Sequence, residues 1–270
     1  MINKKIGIIG CGNMGEALLI GLSGVMEKSV SIMVSEMDAA RRDYISTRYK
    51  IIVEIDNNLV VKYSDVIILA VKPKDFDKVL SSEVCCGISR EKLIISIAAG
   101  ITTKHIEEIV GNDIPVIRVM PNMAAAVGMA ISSVSRGSLA DDAHAETAKE
   151  IFSTVGKVVE VDEVLVDAVT AVSGSGPAYF FYMAEALVEG AQSLGLAKEL
   201  AETLVFHTML GSASLLEELN EDPGLLRKRV TSKGGTTEAA ISVFESKKLK
   251  AIIKEALKRA SIRSKELSGR

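Results

Sequence analysis

The chain has 270 residues, of which 48% are apolar, 35 acidic and 32 basic, giving a formal net charge of −3. Only 4% are aromatic, there is no Trp, and the basic residues are dispersed among acidic ones; this excludes the stacking platforms and the basic footprint that nucleic-acid binding requires. The length predicts roughly two domains, and Cys11, Cys85 and Cys86, with no metal spacing to His105, His144 or His207, predict reduced thiols in a cytoplasmic protein.

In chain order, Lys4-Lys5 precede the apolar run Ile6–Ile9, which Gly10, Gly12, Asn13 and Glu16 interrupt. Neither a signal peptide nor a membrane helix is expected there, and no other uninterrupted apolar run is long enough to span a bilayer. Short β-branched runs follow at Val30–Val34, Val66–Val71, Leu93–Ile97 and Val116–Val119. Amphipathic stretches such as Glu16–Val25 and Asp38–Tyr49 lie between them. Continuous apolar strands separated by helices predict a parallel sheet covered on both faces. Two further strands, Met129–Val134 and Lys157–Val161, flank a predicted helix at Asp141–Thr154.

Strand signals end near Asp162. Ala178–Leu194, Lys198–Leu219, Thr236–Glu245 and Lys248–Glu266 read as helices, with Glu221-Asp222-Pro223-Gly224 as a turn or helix start. Ala178–Leu194 carries few polar residues and is expected to be buried on most faces. A half made only of such helices predicts burial against a second copy of the chain, hence a dimer. The change of pattern divides the chain into residues 1–161 and residues 162–270.

Two glycine-rich segments carry chemistry. Gly10-Cys11-Gly12-Asn13-Met14-Gly15 follows a strand and opens a helix. In that context the first glycine serves a tight turn, the second a close approach of pyrophosphate, and the third helix–strand packing. About twenty residues on, Val34-Ser35-Glu36 ends the second strand, where the adenosine ribose is read. Glu36 would accept from a ribose 2′-OH and repel a 2′-phosphate; Arg41 and Arg42 would either counter that repulsion or sit as solvated helix residues. This leaves NADH and NADPH both open.

Ala70-Val71-Lys72-Pro73 ends a strand at the carboxyl edge of the sheet, where ligands of open α/β folds bind. Ser96-Ile97-Ala98-Ala99-Gly100 ends the next with small residues that leave room for a nicotinamide ring. Asn122, in Arg118-Val119-Met120-Pro121-Asn122, would hold a carboxamide or cap a helix. In Ser173-Gly174-Ser175-Gly176-Pro177, Ser175 suits an N-cap and Pro177 a first turn. The second glycine-rich segment is Thr231-Ser232-Lys233-Gly234-Gly235-Thr236-Thr237, running into a helix. Hydroxyls, close-approach glycines and a helix N-terminus make an anion site. No histidine has an apparent carboxylate partner and no catalytic triad or metal set is visible. The site of hydroxyls and amides suits hydride transfer, in which the cofactor carries the difficult chemistry.

Over nearly its full length the chain resembles the pyrroline-5-carboxylate reductases, through GCGNMG, AVKP, RVMPN, SGSGPAY and VTSKGGTTEAA in that order. The departure is Lys233, where the family commonly has proline. The resemblance implies a Rossmann-type, doubly wound α/β domain followed by an all-α dimerisation domain. It implies an NAD(P)H-dependent imine reductase that converts 1-pyrroline-5-carboxylate to L-proline, assembled as a homo-oligomer built from dimers, with no nucleic-acid or membrane partner. Ser232, Gly234, Gly235 and Thr236 would hold the substrate carboxylate, between the nicotinamide and the loop, and Thr237 would be catalytic, beside the ring nitrogen. The implied cofactor contacts begin with Gly10, Gly12, Asn13, Met14 and Gly15. They continue with Ser35, Glu36 and Asn57, then Ala70, Val71, Lys72 and Pro73, and end with Ala98 and Asn122.

Three other readings compete. The 3-hydroxyacid dehydrogenases share this plan but generally place a catalytic lysine on the first long helix after the domain switch; Ser173–Glu189 contains none. An imine reductase acting on another small cyclic imine is the nearest alternative. A non-catalytic dinucleotide sensor would have no need of the second anion site.

Overall fold

A computed structural model describes residues 2–25, 31–80, 84, 87–111 and 113–269. The expected strand residue Val30 and the Cys85-Cys86 pair lie outside these. The chain divides into two compact units: residues 1–175 with 260–270, and residues 176–259.

The first unit is built on an eight-stranded sheet. In chain order it contains β1 (Ile6–Ile9), α1 (Asn13–Ser23), β2 (Ile32–Ser35), α2 (Ala39–Tyr49), β3 (Ile52–Glu54), α3 (Asn57–Tyr63) and β4 (Val66–Leu69). Then come α4 (Phe76–Val79), β5 (Leu93–Ser96), α5 (Thr103–Val110), β6 (Val116–Met120), β7 (Ala130–Arg136), α6 (Asp142–Ser153), β8 (Gly156–Glu160) and α7 (Val166–Val169). Every residue of β1, β4, β5 and β6 is buried, as expected of strands covered on both faces. One core gathers Leu18, Leu22, Ile45, Ile117 and Phe152. A second gathers Val60, Ile67, Phe76, Ile94 and Ile106.

The strand order is β3-β2-β1-β4-β5-β6-β7-β8. The chain therefore winds outward from β1 to β3, then returns to lay β4 on the other side of β1. That reversal opens a crevice between β1 and β4 at the carboxyl edge. Two corrections follow. The sheet is not wholly parallel: β7 runs antiparallel to β6, with Arg118 opposite Ser135, and β8 runs parallel to β7. The short edge strand β3 was missed, because Ile52-Val53-Glu54 is too brief and too exposed to carry a run of apolar residues.

The second unit contains α8 (Gly176–Ser193), α9 (Lys198–Leu219), α10 (Pro223–Arg229) and α11 (Thr236–Ser246). The last helix, α12 (Leu249–Leu267), starts in this unit and ends in the first. Asp222 caps α10 by accepting from Leu225 N, with Pro223 in the first turn. In α8 only Gly176, Ala184 and Val188 are buried, so within one chain most of its faces are open. Ser175 is helical (φ −84°, ψ −17°) and follows a π-turn at Thr170–Gly174. It is therefore no N-cap, which needs an extended backbone. By length and composition Glu163–Ser193 would pass as a membrane span, although it is no uninterrupted apolar run and a π-turn lies within it.

Candidate functional site

At the crevice lies a cavity of about 290 Å³ lined by Gly10, Gly12, Ser35, Glu36, Asn57, Ala70, Val71 and Lys72, among others. Eight of the expected cofactor contacts thus come together. The three glycines divide their tasks. Gly10 has φ +88°, and a Cβ there would lie 2.8 Å from Val71 Cγ1. A Cβ on Gly15 would lie 2.5 Å from Gly10 O, while one on Gly12 would meet nothing within 4 Å. Gly10 and Gly15 thus close the turn, and Gly12 leaves open space at the start of α1. No side chain caps that end, so the first-turn N–H groups are available to an anion. These features fit a dinucleotide pyrophosphate.

The end of the cavity beside β2 is held by a network of polar and charged groups. Glu36 Oε2 accepts from Cys11 N at 2.9 Å and its Oε1 from Asp38 N at 3.0 Å. Ser35 Oγ donates to Asn57 Oδ1 at 2.7 Å. Arg41 Nε donates to Cys11 O at 2.9 Å, and its Nη2 pairs with Glu16 Oε2. Tyr49 donates its hydroxyl to Glu16 Oε1 at 2.6 Å. Burial raises the Glu16 carboxyl, but the Tyr49 hydroxyl and Arg41 outweigh it and leave it below its ordinary value. Burial pushes the Cys11 thiol up to about 12, which keeps it protonated and unreactive.

Asn13, Met14, Gly15, Pro73, Ala98 and Asn122 do not line the cavity. Asn13, Met14 and Gly15 form the first turn of α1, with Gly15 buried. Pro73 opens a 3₁₀ turn behind Lys72. Ala98 is buried in the second core, and Gly100, at φ +80°, lies close to the end of the chain, since a Cβ there would be 2.9 Å from Leu267 O. Asn122 is a structural tie: its Nδ2 donates to Ser173 O at 3.1 Å and its Oδ1 accepts from Ile131 N at 3.4 Å. It makes no side-chain cap to the 3₁₀ turn it precedes.

In the second unit, Ser232, Lys233, Gly234 and Thr236 are exposed, and Gly235 and Thr237 are half-buried. Gly234 adopts φ +73°, a left-handed turn that L side chains rarely take. Gly235 N donates to Ser232 O at 3.0 Å, and Ala239 N closes the first turn of α11 onto Gly235 O. No side chain caps α11 at Gly235. Glu238 reaches back to accept from Gly234 N at 2.7 Å. Among the described residues the Thr237 hydroxyl makes no hydrogen bond.

Sequence reasoning missed three features. Arg118 lies in β6, is 1% exposed and pairs with Glu163 at 3.1 Å. Thr103 donates to the same carboxylate from its N–H at 2.9 Å and its hydroxyl at 2.7 Å. Arg118 Nε and Nη2 have no partner among the described residues. An arginine inside an otherwise apolar strand was the available signal. Two histidines, contrary to expectation, do have carboxylate partners: His105 Nε2 lies 2.8 Å from Asp77 Oδ1, and His144 completes a capping box with Asp141. Neither histidine lines the cavity.

Residues 163–267 match the family model for pyrroline-5-carboxylate reductase dimerisation, and residues 5–100 match that for coenzyme F420-dependent NADP oxidoreductases. The chain is 42% identical to the pyrroline-5-carboxylate reductase of Synechocystis, over 97% of this chain and 98% of the relative. Among solved structures it is similar to a pyrroline-5-carboxylate reductase of Coxiella burnetii, with 36% identity, 98% of each chain covered and a TM-score of 0.90. It is also similar to the Plasmodium falciparum pyrroline carboxylate reductase with NADP bound, with 27% identity, 99% of each chain covered and a TM-score of 0.88.

Proposed function

The chain belongs to the pyrroline-5-carboxylate reductase family, and from that premise we propose that it reduces the C=N bond of 1-pyrroline-5-carboxylate with NAD(P)H to give L-proline, the last step of proline biosynthesis. The observation that carries this reading is the chemistry of the second glycine-rich loop. It offers an uncapped helix N-terminus, two adjacent glycines and three hydroxyl side chains, Ser232, Thr236 and Thr237. That set matches a small substrate with one carboxylate and one nitrogen to orient.

When bound, the reduced nicotinamide supplies a hydride to the imine carbon, and the imine nitrogen takes a proton to become the secondary amine of proline. The first-turn N–H groups of α1 would hold the pyrophosphate, and Ser35 and Glu36 would hold the adenosine ribose. Ser232, Gly234, Gly235 and Thr236 form the substrate-carboxylate site: the hydroxyls of Ser232 and Thr236 and the free first-turn N–H groups of α11 donate, and the two glycines let the carboxylate approach the backbone. Thr237 holds the proton at the ring nitrogen: its hydroxyl donates to a neutral imine or accepts from a protonated one. A protonated imine is already a good hydride acceptor, so no strong protein acid is required. Orientation supplies much of the rate.

The working unit in this reading is a homodimer, assembling further from dimers, in the cytoplasm, with no nucleic-acid or membrane partner. The matched dimerisation family over 163–267 supports it, as do the exposed apolar side chains of α8 and α9. A partner subunit on that surface, rather than lipid, accounts for the apolar run Glu163–Ser193. The test is oxidation of the reduced nicotinamide on adding 1-pyrroline-5-carboxylate, with L-proline identified as the product. A folded protein that binds dinucleotide yet makes no proline would remove the assignment.

A further inference from the structure

We propose that this chain selects NADH over NADPH, and that Glu16 takes part in the selection by holding Arg41 away from the ribose site. The inference rests on the reading of the β1–β4 crevice as a dinucleotide site. It concerns the segment just after β2, where the ribose 2′ position is read about twenty residues past the glycines.

That segment offers a 2′-phosphate little. Glu36 lines the cavity, and its carboxylate is fixed there by two backbone donors, Cys11 N and Asp38 N. So fixed, it presents lone pairs to a ribose hydroxyl and a full negative charge to a phosphate bearing about −1.5 to −2. Asp38 is spent on its own helix, accepting from Arg41 N at 2.7 Å.

Arg41 and Arg42 are both engaged by acceptors within the protein, and Arg41 by a carboxylate. Arg41 is bound on two sides, by Cys11 O and by the Glu16 carboxylate, and lies over the Tyr44 ring at 5.2 Å. Its side chain is 27% exposed and that of Glu16 16%, so the pair is screened less than a surface ion pair. Tyr49 fixes the other oxygen of Glu16. Turning Arg41 toward a phosphate would leave Glu16 partly buried without its cation. Arg42 donates through Nη1 to Glu36 O at 2.9 Å and Met37 O at 2.7 Å, so it braces the backbone of the segment. Arg48, in the last turn of α2, donates through Nε to the Tyr49 hydroxyl at 3.2 Å and lies over the Tyr44 ring. The three guanidiniums near this end of the cavity, Arg41, Arg42 and Arg48, are thus each engaged within the protein, while the Glu36 carboxylate faces the cavity. Lys72 and Lys74 also line the cavity, with Asp75, but they come from the turn after β4 and not from the segment that reads the 2′ position.

The experiment is isothermal titration calorimetry of the intact protein with NADH and with NADPH, without the imine. The expected result is a Kd for NADH at least about tenfold below that for NADPH. In Glu16→Gln, Arg41 is freed, and NADPH affinity rises by about tenfold or more while NADH affinity holds. Glu36→Gln brings the two affinities together from the other side. Thermal melts of both variants check that they are folded. Equal affinities in the wild type, or a preference unmoved in a folded Glu16→Gln, overturn the proposal alone. Failure to bind either dinucleotide overturns the reading of the crevice along with it.

Discussion

The sheet unit and the helical unit place their apolar residues in opposite ways. In the sheet unit Ile6, Ile8, Leu18, Ile67 and Phe152 are all fully buried, and two cores line the two faces of the sheet. In the helical unit Phe180, Phe181, Tyr182, Leu204, Phe206 and Leu210 are each 49% exposed or more. Monomeric proteins rarely leave a contiguous apolar surface of that kind uncovered. The sheet unit encloses its own core and can present a rigid crevice. The helical unit specifies its helices locally and relies, in our reading, on a second copy to complete its core.

The sharpest way to break this comparison is a charge on the exposed side of α9. Leu210 is 57% exposed in the single chain, so Leu210→Asp should leave the fold of the sheet unit intact. In the proposed dimer it buries a carboxylate. The expectation is a monomer in light scattering and a loss of kcat/KM of more than about a hundredfold, the scale of a strong interface position. A dimer of unchanged activity would mean that this face is not the interface.

The matching change in the sheet unit is Phe152→Ala, in a side chain with no exposure. It should cost about 3–5 kcal/mol of stability, read as a lower urea midpoint of the sheet unit, while folded molecules still associate. A stability loss below about 1 kcal/mol would contradict the close packing assigned to this core.

Next in size is the chemistry. Thr237→Ala should lower kcat by about ten- to a thousandfold, equivalent to ~1.4–4 kcal/mol of transition-state stabilisation, with NADH binding unchanged in calorimetry. Unchanged turnover would remove Thr237 from the mechanism.

The smallest effect concerns acid stability. The Glu16 carboxyl is depressed in the fold, burial being outweighed by Tyr49 and Arg41. Its contribution is therefore complete above the ordinary value of 4.5 and is lost as pH falls through the lower folded value. Glu16→Gln should lose less stability than the wild type on acidification below about pH 4.5, measured by urea midpoints. An identical acid slope would mean that the pair with Arg41 contributes nothing.

Much of this plan is legible in the sequence because the signals are local. Lys198–Leu219 is a helix over the expected span, and Ile6–Ile9 is a strand over the expected span. GCGNMG lies between a strand and a helix, where its glycines have separate steric tasks. What was not legible depends on distant partners. The antiparallel turn of β7 is set by pairing with β6, and the role of Asn122 by Ser173, far along the chain. Arg118 stands out in an apolar strand, but its partner Glu163 comes from beyond β8. Arg41 reads in the sequence as either a counter-charge to a 2′-phosphate or a solvated helix residue; its pairing with Glu16, on another helix, depends on the fold.

The most direct test of the central claim follows a single atom. Reduced dinucleotide carrying deuterium at the transferable C4 position is incubated with the protein and 1-pyrroline-5-carboxylate, and the proline formed is examined by mass spectrometry. The account predicts L-proline with one deuterium on C5, the former imine carbon. Oxidised cofactor without labelled proline would contradict it.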